Sequence, residues 1–404
     1  MGEIVSIKEL LDGVEVEWKP LSLGEDKLTE LRRGRVMSKT YLTDNIGDYP
    51  VYSSQTANNG EIGKIKTFDF DGEYVSWTTD GANAGTVFHR TGKFSITNVC
   101  GLVKINNESK LNYKFLFYWL SIEAKKYVYS GMGNPKLMSN QIAKIPIPIP
   151  PLKIQSKIVQ ILDNFTELTA ELTAELTAEL TARKKQYSYY RDKLFTFKDG
   201  EIEFKPLGEV GEFIRGKRFV KTDMISNGIP CIHYGEMYTH YNIWAKKSKS
   251  FVSQELVKAK KLRTAQYGDV VFVAAGETIE DIGRGTAWFG NEGVVIHDAC
   301  FFFKSELNPK YVAYYTRTSS FQNQIKKSIS SGKISAINAK GLSKVKIPIL
   351  PIDEQERIVN ILDKFDTLTN SISEGLPKEI KLRQQQYEYY RDLLLAFPKQ
   401  NVEV

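Results

Sequence analysis

The chain has 404 residues, 42% of them hydrophobic and 25% charged, with a formal net charge of +7. This is globular material long enough for two or three domains, which excludes a wholly disordered chain. No apolar run approaches the roughly 18 residues of a membrane span, no signal-peptide core opens the chain, and the charge points only weakly to an anionic partner. Cys100, Cys231 and Cys300 form no C-x-x-C, so they read as free thiols in a reducing compartment, with a cytoplasmic location as the expectation.

Residues 1–150 read as a first mixed α and β domain. GEYVSWTT (72–79) looks like a strand ending in a Gly-rich turn, and LNYKFLFYWLSIEAKKYVY (111–129) has helical spacing of apolar and aromatic residues. IPIPIPP then forces an extended segment, because prolines exclude helix. Residues 151–200 follow as a helical tail. It carries three perfect Thr-Ala-Glu-Leu units at 169–180. Leu168, Leu172, Leu176 and Leu180 form a stripe that drifts by about 40° per step. Glu171, Glu175 and Glu179 are like charges at i,i+4, so this helix needs a packing partner.

Residues 201–350 repeat the pattern, with GDVVFVAA (268–275) as a strand and NPKYVAYYTRTSSFQNQIKKSI (308–329) as helix. Residues 351–404 form the second tail, where Asp353 and Glu356 match a capping box at the helix start and Gly375 with Pro377 should break the helix midway.

The halves are copies. Ile158-Val159 and Ile161-Leu162-Asp163 align with Ile358-Val359 and Ile361-Leu362-Asp363, an offset of 358 − 158 = 200, and QYSYYRDKLFTF (186–197) matches QYEYYRDLLLAF (386–397) at the same offset. Upstream, Glu17-Trp18-Lys19-Pro20-Leu21 answers Glu203-Phe204-Lys205-Pro206-Leu207, and Gly85-Thr86 is matched to Gly285-Thr286. The chain reads as a tandem duplication of divergent heads and similar helical tails.

Motifs for chemistry are missing. There is no phosphate loop and no dinucleotide turn, and the four histidines lack metal-ligand spacing. Asn134-Pro135-Lys136-Leu137 lacks the second proline and the aromatic of an amino-methyltransferase N-P-P-[YF] signature. No catalytic, cofactor or metal residue is expected.

The duplicated order of head, I-x-I-P-x-P-P or I-P-I-x-P, Gln155 or Gln355, I-V-x-I-L-D and long helix resembles the DNA specificity subunit of type I restriction-modification systems. P-I-D-E-Q-E-R-I (351–358) is the more typical copy, while Ile154 stands where the first copy would carry glutamate. The resemblance implies an α+β chain: two similar α/β target recognition domains separated by two long antiparallel helices with a pseudo-two-fold. It implies double-stranded DNA, two methyltransferase subunits and motor-nuclease subunits as partners, with no cofactor held by this chain. A tandem scaffold for protein partners is the rival, and a self-contained nucleic-acid enzyme is disfavoured by the missing motifs.

Three loops recur in each head: 52–60, 78–85 and 131–140 in the first, and 233–241, 275–285 and 328–338 in the second. Their polar and basic residues are the candidate DNA contacts. With nearby Arg35, these are Ser53, Ser54, Gln55, Asn58, Thr79, Asn83, Asn134 and Lys136 in the first head. With nearby Arg218, they are His233, Tyr234, Glu236, Glu277, Arg284 and Lys333 in the second. The leucine stripe and Tyr187, Tyr190, Tyr387 and Tyr390 are expected to pack the spacer or dock partners.

Overall fold

The computed structural model describes residues 10–131, 133–198, 200–330, 334–370 and 375–398. The chain divides into two compact units, Met1–Ala174 with Lys381–Val404, and Glu175–Ile380. Each unit therefore contains one head, the beginning of the tail that follows it, and part of the other tail.

In the first unit, β1 (Glu17–Pro20) pairs antiparallel with β8 (Pro146–Ile149). The proline-rich closing segment is thus a strand of a two-stranded sheet, where a missing N–H is tolerated. A six-stranded sheet has the order β2-β7-β5-β6-β3-β4. Its members are β2 (Thr29–Arg33), β3 (Ile46–Tyr52), β4 (Glu61–Ile65), β5 (Phe70–Thr78), β6 (Val87–Ile96) and β7 (Cys100–Ile105). β3 and β6 run parallel, and the other pairs are antiparallel. Helix α1 (Tyr113–Glu123) is capped by Asn112, whose side chain accepts from the Phe115 amide, and it buries Phe115, Leu116 and Leu120.

In the second unit, β9 (Phe204–Pro206) pairs with β16 (Lys346–Pro348), as β1 does with β8. One five-stranded sheet contains β10 (Gly211–Arg215), β15 (Cys300–Ser305), β12 (Val270–Val273) and β13 (Gly285–Trp288), with Trp244–Ala245 at the edge. A second is centred on β11 (Ile229–Ile232) and its parallel neighbour β14 (Val294–Ile296). The head also contains the short helix α3 (Tyr234–Thr239) and α4 (Pro309–Tyr315), the latter capped by Asn308.

The first tail is one continuous helix, α2 (Leu152–Leu194), of 43 residues. The second is two helices, α5 (Ile352–Asn370) and α6 (Leu376–Leu394), with Pro377 in the first turn of α6. A Cβ on Gly375 would run into the carbonyls of Thr367 and Leu368, so glycine suits this break. The expected capping box is corrected: α5 already begins at Ile352, directly after Pro351, which puts Asp353 inside the first turn.

Head and tail are joined by the same device twice. Buried Gln155 accepts from the Asn112 amide (2.9 Å) and donates to the Pro150 carbonyl (2.8 Å). Buried Gln355 accepts from the Asn308 amide (2.8 Å) and donates to the Leu350 carbonyl (2.8 Å). About two turns further along, Asp163 accepts from Lys114 (2.6 Å) and the Tyr118 hydroxyl (2.7 Å). Asp363 accepts from Lys310 and Tyr314, both at 2.6 Å. Each head helix is thus stitched by its cap and one face to the helix that follows.

Tail ends complete the cores. In the first unit, Trp18 donates to the Pro398 carbonyl (3.0 Å), and Leu394, Leu395 and Phe397 are buried beside Trp119 and Ile158. In the second, Phe195 lies 4.8 Å from the Tyr311 ring and 5.3 Å from Tyr315. Phe165 meets Tyr390 (5.5 Å) in the first unit, and Phe365 stacks on Tyr187 (6.2 Å) and Tyr190 (5.6 Å) in the second. These pairings are those of antiparallel tails.

Candidate nucleic-acid interface

In both heads a four-residue turn leads into the strand that starts at Cys100 or Cys300: Thr97-Asn98-Val99-Cys100 and His297-Asp298-Ala299-Cys300. It is closed by the cysteine amide on the carbonyl of Thr97 or His297, at 3.0 Å in each. This turn is the hub of the site.

The hub holds the first loop through the parallel strand pair. The Thr97 amide donates to the Tyr52 carbonyl (2.9 Å), and the His297 amide to the Ile232 carbonyl (3.2 Å). It holds the second loop through the Thr79 amide on Val99 (3.1 Å) and the Ala274 amide on Ala299 (2.8 Å). The third loop hangs from the second, with the Leu137 amide on Thr79 (2.9 Å) and the Ile337 amide on Ala274 (2.8 Å). At its neck, Tyr129 and Lys136 exchange backbone bonds of 2.8 and 3.0 Å, and Ser330 and Ala336 exchange bonds of 2.9 and 3.1 Å.

The second loop corrects one sequence alignment. Gly85 (φ +80°) donates to the Thr78 carbonyl at 2.9 Å, and Gly283 (φ +78°) donates to the Val273 carbonyl at 2.9 Å. The counterpart of Gly85 is therefore Gly283, not Gly285, which lies within β13. Both positions occupy the left-handed region that favours glycine.

Among the candidates in the first head, Asn58, Asn83, Asn134 and Lys136 are exposed. Asn58 is held at φ 49°, a conformation asparagine tolerates better than most residues. Lys136 lies 3.8 Å from Asp80, which joins the second and third loops. Ser53, Ser54 and Gln55 are half-buried. The Ser53 hydroxyl meets that of Thr97 (2.8 Å), and Gln55 donates to the Glu61 carbonyl. Arg35 is exposed, but its guanidinium is occupied by Asp69 (3.0 Å) and the Tyr41 hydroxyl (3.1 Å). Thr79 is a correction: it is fully buried, with its hydroxyl donating to Asp80 (2.6 Å), so it supports the loop from below.

In the second head, Arg218 and Glu277 are exposed, while Arg284 is half-buried and paired with Asp281. His233 and Glu236 are further corrections. Both are buried, and Glu236 accepts from the His233 amide (3.0 Å) while the Gly235 amide donates to His233 Nδ1 (3.3 Å), so together they cap α3. Tyr234 is half-buried, with its ring 4.6 Å from that of His233. His233 also lies 4.5 Å from His297, at the place where the first head has Ser53 and Thr97. Burial pushes both imidazoles below their ordinary pKa, and His297 is lowered further by His233 beside it. Lys333 lies outside the described residues.

On the tails, Leu168 is 52% exposed, whereas Leu172, Leu176 and Leu180 are half-buried. The drift of the stripe turns its first member away. Tyr187 and Tyr190 pack on Phe365, Tyr390 packs on Phe165, and the Thr166 hydroxyl donates to that of Tyr387 (3.1 Å). These tyrosines serve packing. The outward ring of each Y-Y-R-D is the one sequence reading passed over: Tyr189 is 61% and Tyr389 64% exposed, each edge-on to the next tyrosine. The hub was missed too, although Cys100 and Cys300 stand 200 residues apart (300 − 100), the offset of the tails. All three cysteines are buried free thiols, and burial pushes Cys100 and Cys231 up to about 12.

Among the described residues, no cluster of three or more His, Cys, Asp or Glu side chains could hold a metal ion, and no helix is long and apolar enough to cross a membrane. What each head offers is a hydrogen-bonded turn that holds two loops directly and a third through the second, an arrangement suited to recognition of a surface.

Comparison with known proteins bears on that surface. A family model for the type I restriction modification DNA specificity domain matches residues 15–182 and 200–382. The Escherichia coli type I restriction enzyme EcoR124I/EcoR124II specificity subunit is 36% identical over 419 residues, covering 99% of this chain and 98% of its own. A Haemophilus influenzae chain provisionally named a type I restriction enzyme specificity subunit is 37% identical, covering 97% and 98%. A solved structure from a study of assembly and conformational transition of the type I restriction-modification system aligns with a TM-score of 0.65 at 16% identity, over 95% of this chain and 98% of that one. That last match shows the fold alone.

Proposed function

The chain belongs to the type I restriction-modification DNA specificity family, and from that premise we propose how it selects its site. Each head reads one half of a split, asymmetric sequence in double-stranded DNA, and the tails set the distance between the halves. The reading domains are 1–150 and 201–350, and the spacers are 151–200 and 351–404. The chain carries out none of the chemistry. Two methyltransferase subunits dock on it and supply adenine methylation, and motor-nuclease subunits join them to cleave unmodified DNA in the cytoplasm.

The observation that carries this reading is the duplication itself: one frame of hub, anchor and capped helix appears twice, bearing loops that differ. A shared frame with different loops is what two different half-sites require. Direct base contacts fall to exposed loop residues, Asn58, Asn83, Asn134 and Lys136 in the first head and Glu277 in the second. Thr79, His233 and Glu236 position the loops. Thr-Ala-Glu-Leu is a spacer unit in the middle of α2, where one copy adds about 6 Å of helix. With half-site centres about one DNA turn apart, the unspecified gap is about six to eight base pairs. Tyr189 and Tyr389 present the same outward ring from both tails, as two copies of one partner need.

Replacing residues 15–150 with the first head of another family member tests the proposal by methylome mapping. One half-site changes and the other stays. Simultaneous change of both halves would mean that the heads do not read separately.

A further inference from the structure

Part of the frame that the two heads share is exposed and cationic. β2 and β10 both end in arginine, followed by glycine and a basic residue: Arg33-Gly34-Arg35 and Arg215-Gly216-Lys217. In each case the arginine reaches the second residue of the hub. Arg33 Nη2 donates to the Asn98 carbonyl (2.7 Å), and Arg215 Nε donates to the Asp298 carbonyl (2.9 Å). In each case a Cβ on the glycine would run into backbone where the strand enters the hub, at Ile96 and Thr97 or at Ile296 and His297. The glycine is what lets this strand end lie on the turn that carries the loops.

Both arginines are exposed, and among the described residues each guanidinium makes one hydrogen bond, the one to the hub. A carbonyl at the surface can be satisfied by water, so the hub bond alone does not call for an arginine in both copies. Arg215 also lines a 220 Å³ cavity together with Ala275 of the second loop, Ala299 of the hub, and Ser328, Ser330 and Asn338 of the third loop. The charge therefore stands where the loops meet. The loops around it diverged between the heads, while Arg, Gly and the hub bond did not. A group kept in both heads while the loops changed suits the part of DNA that is the same at every site.

We infer that Arg33 and Arg215 grip the sugar-phosphate backbone, one contact for each half-site, and set the register of the reading loops without adding sequence preference. The guanidinium fork suits both tasks, with one N–H fixed on the hub and others turned to a phosphate. The inference rests on the DNA-reading function proposed above.

The test uses the chain assembled with its methyltransferase subunits, one duplex carrying the mapped methylation motif and one with the motif scrambled. Arg33→Ala and Arg215→Ala should each weaken binding to both duplexes by the same factor. Each should also reduce the slope of log affinity against log salt by about 0.9 and leave the methylated motif unchanged. Arg33→Lys and Arg215→Lys keep the charge and should keep the slope. Altered bases at either half-site would overturn the inference in favour of base reading. An unchanged slope in the alanine variants, or lysine variants that fail alongside them, would overturn it in favour of a purely structural bond. A wild-type complex that does not distinguish the two duplexes would sink the proposed function itself, a result separate from these.

Discussion

The two units solve the same problem with different sheets. In the first, β6 is a ten-residue strand that pairs with β5 along most of its length and with β3 at its end, so it joins six strands into one sheet. In the second, the equivalent chain is cut into β13 and β14 by Phe289-Gly290-Asn291-Glu292-Gly293, and the sheet falls into two. Trp288 holds the interruption by donating to the Glu292 carbonyl (2.9 Å), and Cβ atoms on Gly290 and Gly293 would meet Trp288 and Thr264. The hub, the glutamine anchor and the aspartate latch are the same in both. Sheet continuity is therefore dispensable, whereas the turn that carries the loops and the stitch to the tail are what the duplication kept.

The sharpest way to break that comparison is to remove the anchor. Gln355→Ala strands a partly buried amide and a buried carbonyl and should cost about 2–4 kcal/mol, and Gln155→Ala, which also loses a bond to the Lys110 carbonyl, should cost at least as much in the first unit. Thermal unfolding of the two variants checks it, and a loss in only one would show that the anchors are not equivalent. Gly85→Ala and Gly283→Ala should each cost about 1–2 kcal/mol from the left-handed backbone alone. Close contacts add to both, since a Cβ on Gly85 would lie 2.9 Å from Val128 and one on Gly283 2.7 Å from Ile325 and 2.9 Å from Phe321.

Acidification should separate the units. His233 and His297 are held neutral by burial in the fold, while unfolded imidazoles take up protons near pH 6.5. The unfolded chain thus binds more protons below that value, and the second unit loses stability as pH falls, by at most about 1.4 kcal/mol per pH unit for each histidine. Above it the pair contributes no pH dependence. Transplanting the first unit's residues, His233→Ser with His297→Thr, should flatten the unfolding midpoint between pH 7.5 and 5.5, and a persistent slope would place the dependence elsewhere. The smallest effect on folding belongs to Tyr189→Ala and Tyr389→Ala, within about 0.5 kcal/mol. Each should nonetheless weaken uptake of methyltransferase subunits, read by the mass of the assembled complex.

Architecture was legible in the sequence because it is written in repeats and in strong local rules. The 200-residue offset, the prolines that close each head and the glycine-proline break after α5 all became observed structure. For the candidate site, sequence offers loops but not which of their side chains face outward. Polar type does not tell whether a side chain faces solvent or the loop's own backbone, and Thr79, His233 and Glu236 turned inward to bond within their own segments. The mismatch of Gly85 with Gly285 arose because the second loop gained residues, and only φ and the backbone bond identify Gly283 as its equal. The hub escaped because threonine, histidine, asparagine and aspartate at a turn look ordinary without the strands around them.

The measurement that bears most directly on two separate reading heads joined by a helical ruler is methylome mapping after deletion of residues 173–176. Removing one Thr-Ala-Glu-Leu shortens α2 by about 6 Å, at most about two base pairs at roughly 3.4 Å each. Rotation of the helix by about 40°, the oblique run of the spacer and the break before α6 reduce this to about one. The predicted result is two unchanged half-site sequences with a gap about one base pair shorter. An unchanged gap would contradict the ruler, and altered half-site bases would contradict the independence of the heads.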